Sequence, residues 1–241
     1  MIVAIDRGNT RTKLAVFNKE KIIFLDATNS FNIDYLKDIF NKYDIKQSIY
    51  CSVLKSNDDQ TIQEYLCSMS SLITMSSNLS LPIINLYSTN NTLGNDRLAD
   101  IVGAYYLYKK STLVIDAGTC ITYDFLNNKS EYIGGSISLG FMLKYKALHN
   151  FTANLPFINE VKFISLCCNT TKDCLISGVV NGTLFEIEKT IEKYKEQYGD
   201  INIVITGGDA EFIQKNLKAK TIIEENLILY GLKNILDINA K

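Results

Sequence analysis

Residues 2–17 read IVAIDRGNTRTKLAVF, and residues 113–125 read LVIDAGTCITYDF. Each is an apolar strand that ends in Asp, turns through Gly, takes a Thr and returns as a second alternating strand. Asp6-Arg7-Gly8-Asn9-Thr10 in the first matches Asp116-Ala117-Gly118-Thr119 in the second. A chain that starts twice in this way describes two similar halves. The repeat sets an N-terminal domain over 1–112 and a C-terminal domain over 113–241.

Outward from these hairpins, strand and helix periods alternate. Residues 31–43 predict a helix with Ile33, Leu36, Ile39 and Phe40 on one face; Ser48–Val53 predicts a strand and Thr61–Met69 a helix. Leu98, Ile101, Val102 and Tyr105 line a helix that opens near Asp96. In the second half, Leu184, Ile187, Ile191 and Tyr194 mark a long helix. A buried strand over Ile201–Ile205 leads into Thr206-Gly207-Gly208-Asp209 and a helix through Phe212 and Ile213. Leu229, Leu232, Ile235 and Leu236 mark the last helix. Hairpins followed by strand–helix alternation, done twice, give an α/β chain of two related domains.

Composition narrows the partners. With 46% hydrophobic residues in a chain of 241, a sizeable core is expected. Lys and Arg number 25 against 26 Asp and Glu, and no basic run stands out, so neither nucleic acid nor an anionic membrane is an expected partner. No apolar run reaches membrane-spanning length. Met1-Ile2-Val3-Ala4-Ile5 runs directly into Asp6 and Arg7, so no secretory leader is expected and the protein reads as cytoplasmic. The six cysteines form no CxxC pair and His149 is the single histidine, which leaves no Cys/His zinc cluster. Reduced thiols and a structural His149 are the expectation.

A Gly turn between two strands lets backbone N–H groups approach an anion with no Cβ in the way. The hydroxyls of Thr10, Thr12 and Thr119 add donors and Lys13 adds charge. Asp6 and Asp116 stand where they would hold cations that neutralise phosphate, directly or through water. One such turn alone is an ordinary hairpin signal; two with matching flanks carry the reading. No Walker motif is present, and Leu148-His149-Asn150 is no protein-kinase catalytic loop.

Asp6-x-Gly8-Asn9-Thr10-x-x-Lys13, Asp116-x-Gly118-Thr119 and Thr206-Gly207-Gly208-Asp209 resemble the two phosphate motifs and the adenosine motif of the sugar kinase, Hsp70 and actin superfamily. That resemblance implies two actin-like (ribonuclease H-like) domains with a nucleotide cleft between them. It leaves kinase, hydrolase and ATP-driven scaffold open. The segment Tyr87-Ser88-Thr89-Asn90-Asn91-Thr92-Leu93-Gly94-Asn95-Asp96-Arg97 resembles the signature of type III pantothenate kinases, in which Gly-x-Asp-Arg follows a Tyr. Gly134-Gly135-Ser136-Ile137, Thr152-Ala153-Asn154-Leu155-Pro156, and Thr171 followed by Ser177-Gly178 continue the set in order.

The resemblance implies ATP-dependent phosphorylation of pantothenate to 4′-phosphopantothenate, the first step towards coenzyme A. It makes Asp96 the residue that accepts or orients the substrate hydroxyl proton, and Arg97 a fork of donors for the pantothenate carboxylate. Tyr87, Gly94, Asn95, Asp96, Arg97 and Thr171 would line the pantothenate site. Asp6, Arg7, Gly8, Asn9, Thr10, Arg11, Thr12, Lys13 and Thr119 would contact ATP. Asp116 would bind a monovalent cation, K⁺ or NH₄⁺, and Asp6 is a candidate for the Mg²⁺ that travels with ATP. Family members are homodimers with the pantothenate site at the subunit interface.

Bland alternatives stand beside these roles. Asp96 reads equally as a helix N-cap, Thr171 as the cap of the helix after it, Arg97 as a first-turn surface residue and Tyr87 as a half-buried strand aromatic. Arg7, Asn90, Cys120 and Leu139 depart from the family pattern. Arg7 is the least comfortable, a charge beside the phosphate turn that either binds phosphate or points into solvent. A transcriptional accessory protein, and a phosphatase or polyphosphate hydrolase, are the competing functions on the same fold.

Overall fold

The computed structural model describes residues 1–54 and 57–240. The chain runs β1 (Ile2–Arg7), β2 (Thr12–Asn18), β3 (Lys21–Thr28), α1 (Ile33–Lys42), β4 (Gln47–Ser52), α2 (Asn57–Met69), β5 (Ser71–Thr74), β6 (Ile84–Asn85) and α3 (Asn95–Tyr108). It continues with β7 (Thr112–Ala117), β8 (Cys120–Leu126), β9 (Glu131–Leu139), α4 (Phe141–Asn150), α5 (Thr171–Tyr198), β10 (Asn202–Thr206), α6 (Ala210–Asn216), β11 (Ile222–Ile223) and α7 (Leu227–Asn239). Among the described residues, no helix is long and apolar enough to cross a membrane.

The repeat in the sequence reappears as a repeat in topology. The first sheet is ordered β3-β2-β1-β4-β5, and the second β11-β10-β7-β8-β9-β6. Read from β9, the second sheet follows the same path as the first: third strand, second, first, fourth, fifth. In both, the strand with Asp as its last residue but one has its hairpin partner on one side and a parallel strand on the other: β4 pairs with β1 and β10 with β7. The expected α/β architecture of two related halves is what forms.

Contacts group the chain into two compact units. One holds Met1–Lys109, Leu126–Ile133 and the chain from Asn226 onward; the other holds Lys110–Phe125 and Gly134–Glu225. In the first unit, β1 sorts its side chains by alternation. Val3 and Ile5 join Leu14, Val16, Leu36, Ile39, Tyr50, Ile62 and Leu66 in a core beneath α1 and α2. On the other face Phe17 meets Tyr230 of α7, with ring centroids 6.1 Å apart. In the second unit, Leu113, Ile115, Ile121, Tyr123 and Phe125 pack with Ile176, Val180, Leu184 and Ile187 of α5.

Capping sets the helix starts. Asn32 accepts the N–H of Tyr35 at 2.9 Å ahead of α1, and Thr170 accepts the N–H of Asp173 at 3.1 Å ahead of α5. The cap of α5 is therefore Thr170, which frees Thr171 from that duty. The helix ends at Gly199, whose φ of +78° suits a residue without a side chain.

Helices α3 and α7 pack through small residues. A Cβ on Gly231 would lie 1.8 Å from the carbonyl oxygen of Ala99, and one on Gly103 would lie 2.2 Å from that of Leu227. In an open helix interior, Gly→Ala stabilises by about 1 kcal/mol. Here the backbone of the facing helix occupies the space, so the sign reverses. Gly231→Ala is expected to lose about 2 kcal/mol of stability, measured by urea unfolding; a stabilised variant would contradict the close packing.

Candidate functional site

In the first unit, the turn after β1 is built on a short backbone bond, Gly8 N–H to the Arg11 carbonyl at 3.2 Å. Asn9, Thr10 and Arg11 are exposed, Gly8 and Lys13 half-buried, and Thr12 buried. Lys13 stands directly opposite Asp6 across the β1–β2 pair. Arg7 does not point into solvent. It is buried, and its guanidinium bonds Asp58 and Asp59 of α2.

Helix α3 packs against β4, the parallel neighbour of β1. Burial pushes the thiol of Cys51 well above its ordinary pKa, and the carboxylates of Asp6, Asp96 and Asp100 add to the shift. Cys51 is paired in register with Asp6. Asp100 was not singled out from the sequence. It is 3% exposed and lies one helical turn beyond Asp96 on α3, and that i, i+4 spacing is the signal that could have found it.

Helix α3 opens without a side-chain cap. Its N-cap is Gly94, not Asp96. Asp96 is half-buried and accepts the N–H of Arg97 at 2.9 Å. A Cβ on Gly94 would fall 2.4 Å from Asp96 Oδ1, so the glycine makes room for that carboxylate. Asn95 reaches back to the Met75 carbonyl at 3.1 Å and ties the helix start to the chain after β5. Arg97 is buried, its guanidinium carbon 5.7 Å from the centre of the Tyr87 ring, and Tyr87 in turn stacks on Tyr132 at 6.1 Å. A buried cation braced on an aromatic face holds its donor fork in one orientation.

In the second unit, three backbones converge at the end of β7. Gly118 N–H bonds the Cys120 carbonyl at 2.9 Å, and Gly140 N–H bonds the Thr119 carbonyl at 3.1 Å. Asp209 N–H bonds the Ala117 carbonyl at 3.0 Å. A Cβ on Gly140 would lie 2.1 Å from the Gly118 carbonyl oxygen. One on Gly207, whose φ is +92°, would lie 2.3 Å from the Ala117 carbonyl and 2.4 Å from Asp116 Oδ1. The three backbones come this close because Gly140 and Gly207 lack side chains. Asp116 is half-buried and Thr119 exposed; Asp116 is paired in register with Thr206. The buried Thr206 hydroxyl has no hydrogen-bond partner among the described residues. Thr171, the first residue of α5, is exposed.

His149 is structural in its contacts: Nδ1 sits 2.8 Å from the Leu155 carbonyl and the ring packs against Phe157. All six cysteines are free thiols.

A family model described as type III pantothenate kinase matches residues 2–193. The chain is 40% identical to the type III pantothenate kinase of Flavobacterium psychrophilum, with 98% of each chain covered. It is 37% identical to that of Christiangramia forsetii, with 99% of each covered, and 35% identical to that of Bacteroides fragilis, with 99% and 98% covered. Among solved structures, it is similar to a Campylobacter jejuni protein assigned to the Baf family of transcriptional activators: TM-score 0.62, 22% identity, 98% and 97% covered. It also matches component A of the Acidaminococcus fermentans (R)-2-hydroxyglutaryl-CoA dehydratase, with TM-score 0.52, 12% identity, 99% and 97% covered. These last two likenesses speak for the fold alone. By its sequence over nearly its whole length, the chain belongs to the type III pantothenate kinase family.

Proposed function

We propose that this protein transfers the γ-phosphoryl group of ATP to the hydroxyl of pantothenate, giving 4′-phosphopantothenate. The observation that carries this reading is the opening of α3: a half-buried Asp96 beside a buried, ring-braced Arg97, inside the stretch matched by the family model. The full-length relatives favour neither a transcriptional accessory role nor a hydrolase.

Phosphoryl transfer needs an oriented hydroxyl, bound phosphates and a way to absorb negative charge. Asp96 takes or orients the hydroxyl proton of the substrate. Arg97 pairs with the pantothenate carboxylate through its planar fork, and Tyr87 fixes the plane of that fork. Gly94 and Asn95 shape the wall beside them, and Thr171 contributes a hydroxyl. The N–H groups of the Gly8–Arg11 turn, the hydroxyls of Thr10 and Thr119, and Lys13 bind the phosphates.

The residues fit an ATP–Mg²⁺ complex. The turn after β1 exposes Asn9, Thr10 and Arg11 with Lys13 close by, donors of the kind that hold phosphate oxygens. When bound, Mg²⁺–ATP would supply the phosphoryl group and offset its negative charge, and Asp6 would be the carboxylate available to the metal. Mg²⁺ is commonly held by one or two carboxylates together with phosphates, so a closed protein cage is not needed. Asp116 holds a monovalent cation, K⁺ or NH₄⁺, and the orphaned Thr206 hydroxyl supports an oxygen-donor site there. The protein works in the cytoplasm as a homodimer. The exposed Phe151, Phe163 and Leu166 (87%, 64% and 68% of their surface) support a covering partner copy.

Three outcomes are expected. Asp96→Asn lowers kcat about 10²-fold or more with folding intact, read by pantothenate-dependent ADP formation; an active variant would remove Asp96 from the chemistry. K⁺ or NH₄⁺ raises activity over Na⁺, and Asp116→Asn abolishes the difference; an equal response in the variant would move the cation elsewhere. Sedimentation at assay concentration gives twice the 27.2 kDa chain mass; a fully active monomer would contradict the dimer.

A further inference from the structure

The end of β1 carries a buried cation that the phosphate chemistry does not use. Arg7 is 9% exposed, and its partner Asp59 is 6% exposed. Arg7 Nη1 donates to Asp59 Oδ1 at 3.3 Å, and Nη2 donates to Asp58. The same Asp59 oxygen accepts the Tyr50 hydroxyl at 2.6 Å and the Ser52 hydroxyl at 2.7 Å. Its other oxygen accepts the Gln63 amide at 3.0 Å. One guanidinium and one carboxylate thus join β1, β4 and α2. The Phe31 ring lies 6.0 Å from the Arg7 guanidinium carbon and closes the network on another side. Burial works against the charge on Arg7, but its bonds to Tyr50 and Asp58 hold its pKa above the ordinary arginine value.

Strand alternation sets what this network can reach. Arg7 points to the side of Val3, Ile5 and the α1–α2 core, and Asp6 points to the opposite face. The turn Gly8–Arg11 begins at the very next residue. Its stem is clamped three times: by the Arg7 side chain, by the Arg7 carbonyl accepting Val53 N–H at 3.2 Å, and by the pairing of Arg7 with Thr12.

We propose that Arg7 is a positioning residue for the first phosphate turn. Its side chain, anchored by Asp59, fixes the stem from which Gly8–Arg11 presents N–H groups to ATP, and the guanidinium is not itself a ligand of phosphate. This rests on the ATP reading of that turn.

The test compares Arg7→Met, Arg7→Lys, Asp59→Asn and the Arg7→Met/Asp59→Asn double variant. Each is characterised by thermal unfolding and by steady-state kinetics in both substrates; wild-type ATP binding is first measured by calorimetry. Arg7→Met and Asp59→Asn are each expected to raise the KM for ATP about tenfold, with kcat and the KM for pantothenate within about twofold of wild type. Arg7→Lys recovers part of the loss, and the double variant is no worse than either single one, because both remove the same link. Asp59→Asn keeps an oxygen acceptor for Tyr50 and Ser52, so it carries the comparison if Arg7→Met does not fold. If Asp59→Asn binds ATP like the wild type while Arg7→Met loses kcat, the guanidinium touches phosphate and the proposal fails. A parallel fall of all kinetic parameters with melting temperature would reduce the network to a brace and also overturn it. If the wild type does not bind ATP, the nucleotide reading fails and takes this proposal with it.

Discussion

Neighbouring residues on a β-strand point to opposite faces, and at the end of β1 this alternation separates Asp6 from Arg7 by a whole sheet. The consequences spread from there. The Arg7 face continues the apolar core of Val3 and Ile5 and ends in an ion pair that anchors α2. The Asp6 face continues onto Cys51 of β4, whose buried thiol feels the charges of Asp96 and Asp100 on α3. Chemistry and anchorage are therefore kept on different sides of one strand. A one-residue slip of β1 would exchange them, putting a carboxylate in the core and a guanidinium among the acids.

The second recurring device is the absence of a side chain. Gly103 and Gly231 let α3 and α7 approach until the backbone of one fills the Cβ space of the other. Gly140 and Gly207 do the same around the turn that follows β7. The first pair supports the helix that presents Asp96 and Arg97; the second lets the backbone close in around the turn beside Asp116. In both places a methyl group would collide with a carbonyl oxygen, which has no rotamer with which to move away.

Much of this was legible in the sequence because it is local. The repeated hairpin, the start of α3 near Asp96, the apolar face of α5 and the strand before Thr206-Gly207-Gly208-Asp209 follow from period and turn chemistry within a few residues. What escaped is what depends on distant partners. Nothing near Arg7 announces Asp59, 52 residues away, as its counter-ion. The Arg97 stack on Tyr87 and Tyr132 joins three segments of chain, and only the first two were grouped by motif. Asp100 lacked a motif of its own. Thr170 and Thr171 offer the same hydroxyl as a cap for α5, and only the backbone distinguishes them.

The central claim is a transfer to a specific hydroxyl, so the most direct measurement follows the acceptor. Purified protein, Mg²⁺–ATP and pantothenate in potassium buffer would be sampled over time by phosphorus NMR and mass spectrometry. The account predicts a phosphomonoester of pantothenate accumulating one for one with ADP. ADP accompanied by free phosphate, with pantothenate unchanged, would contradict it and make the protein an ATP hydrolase on a kinase fold.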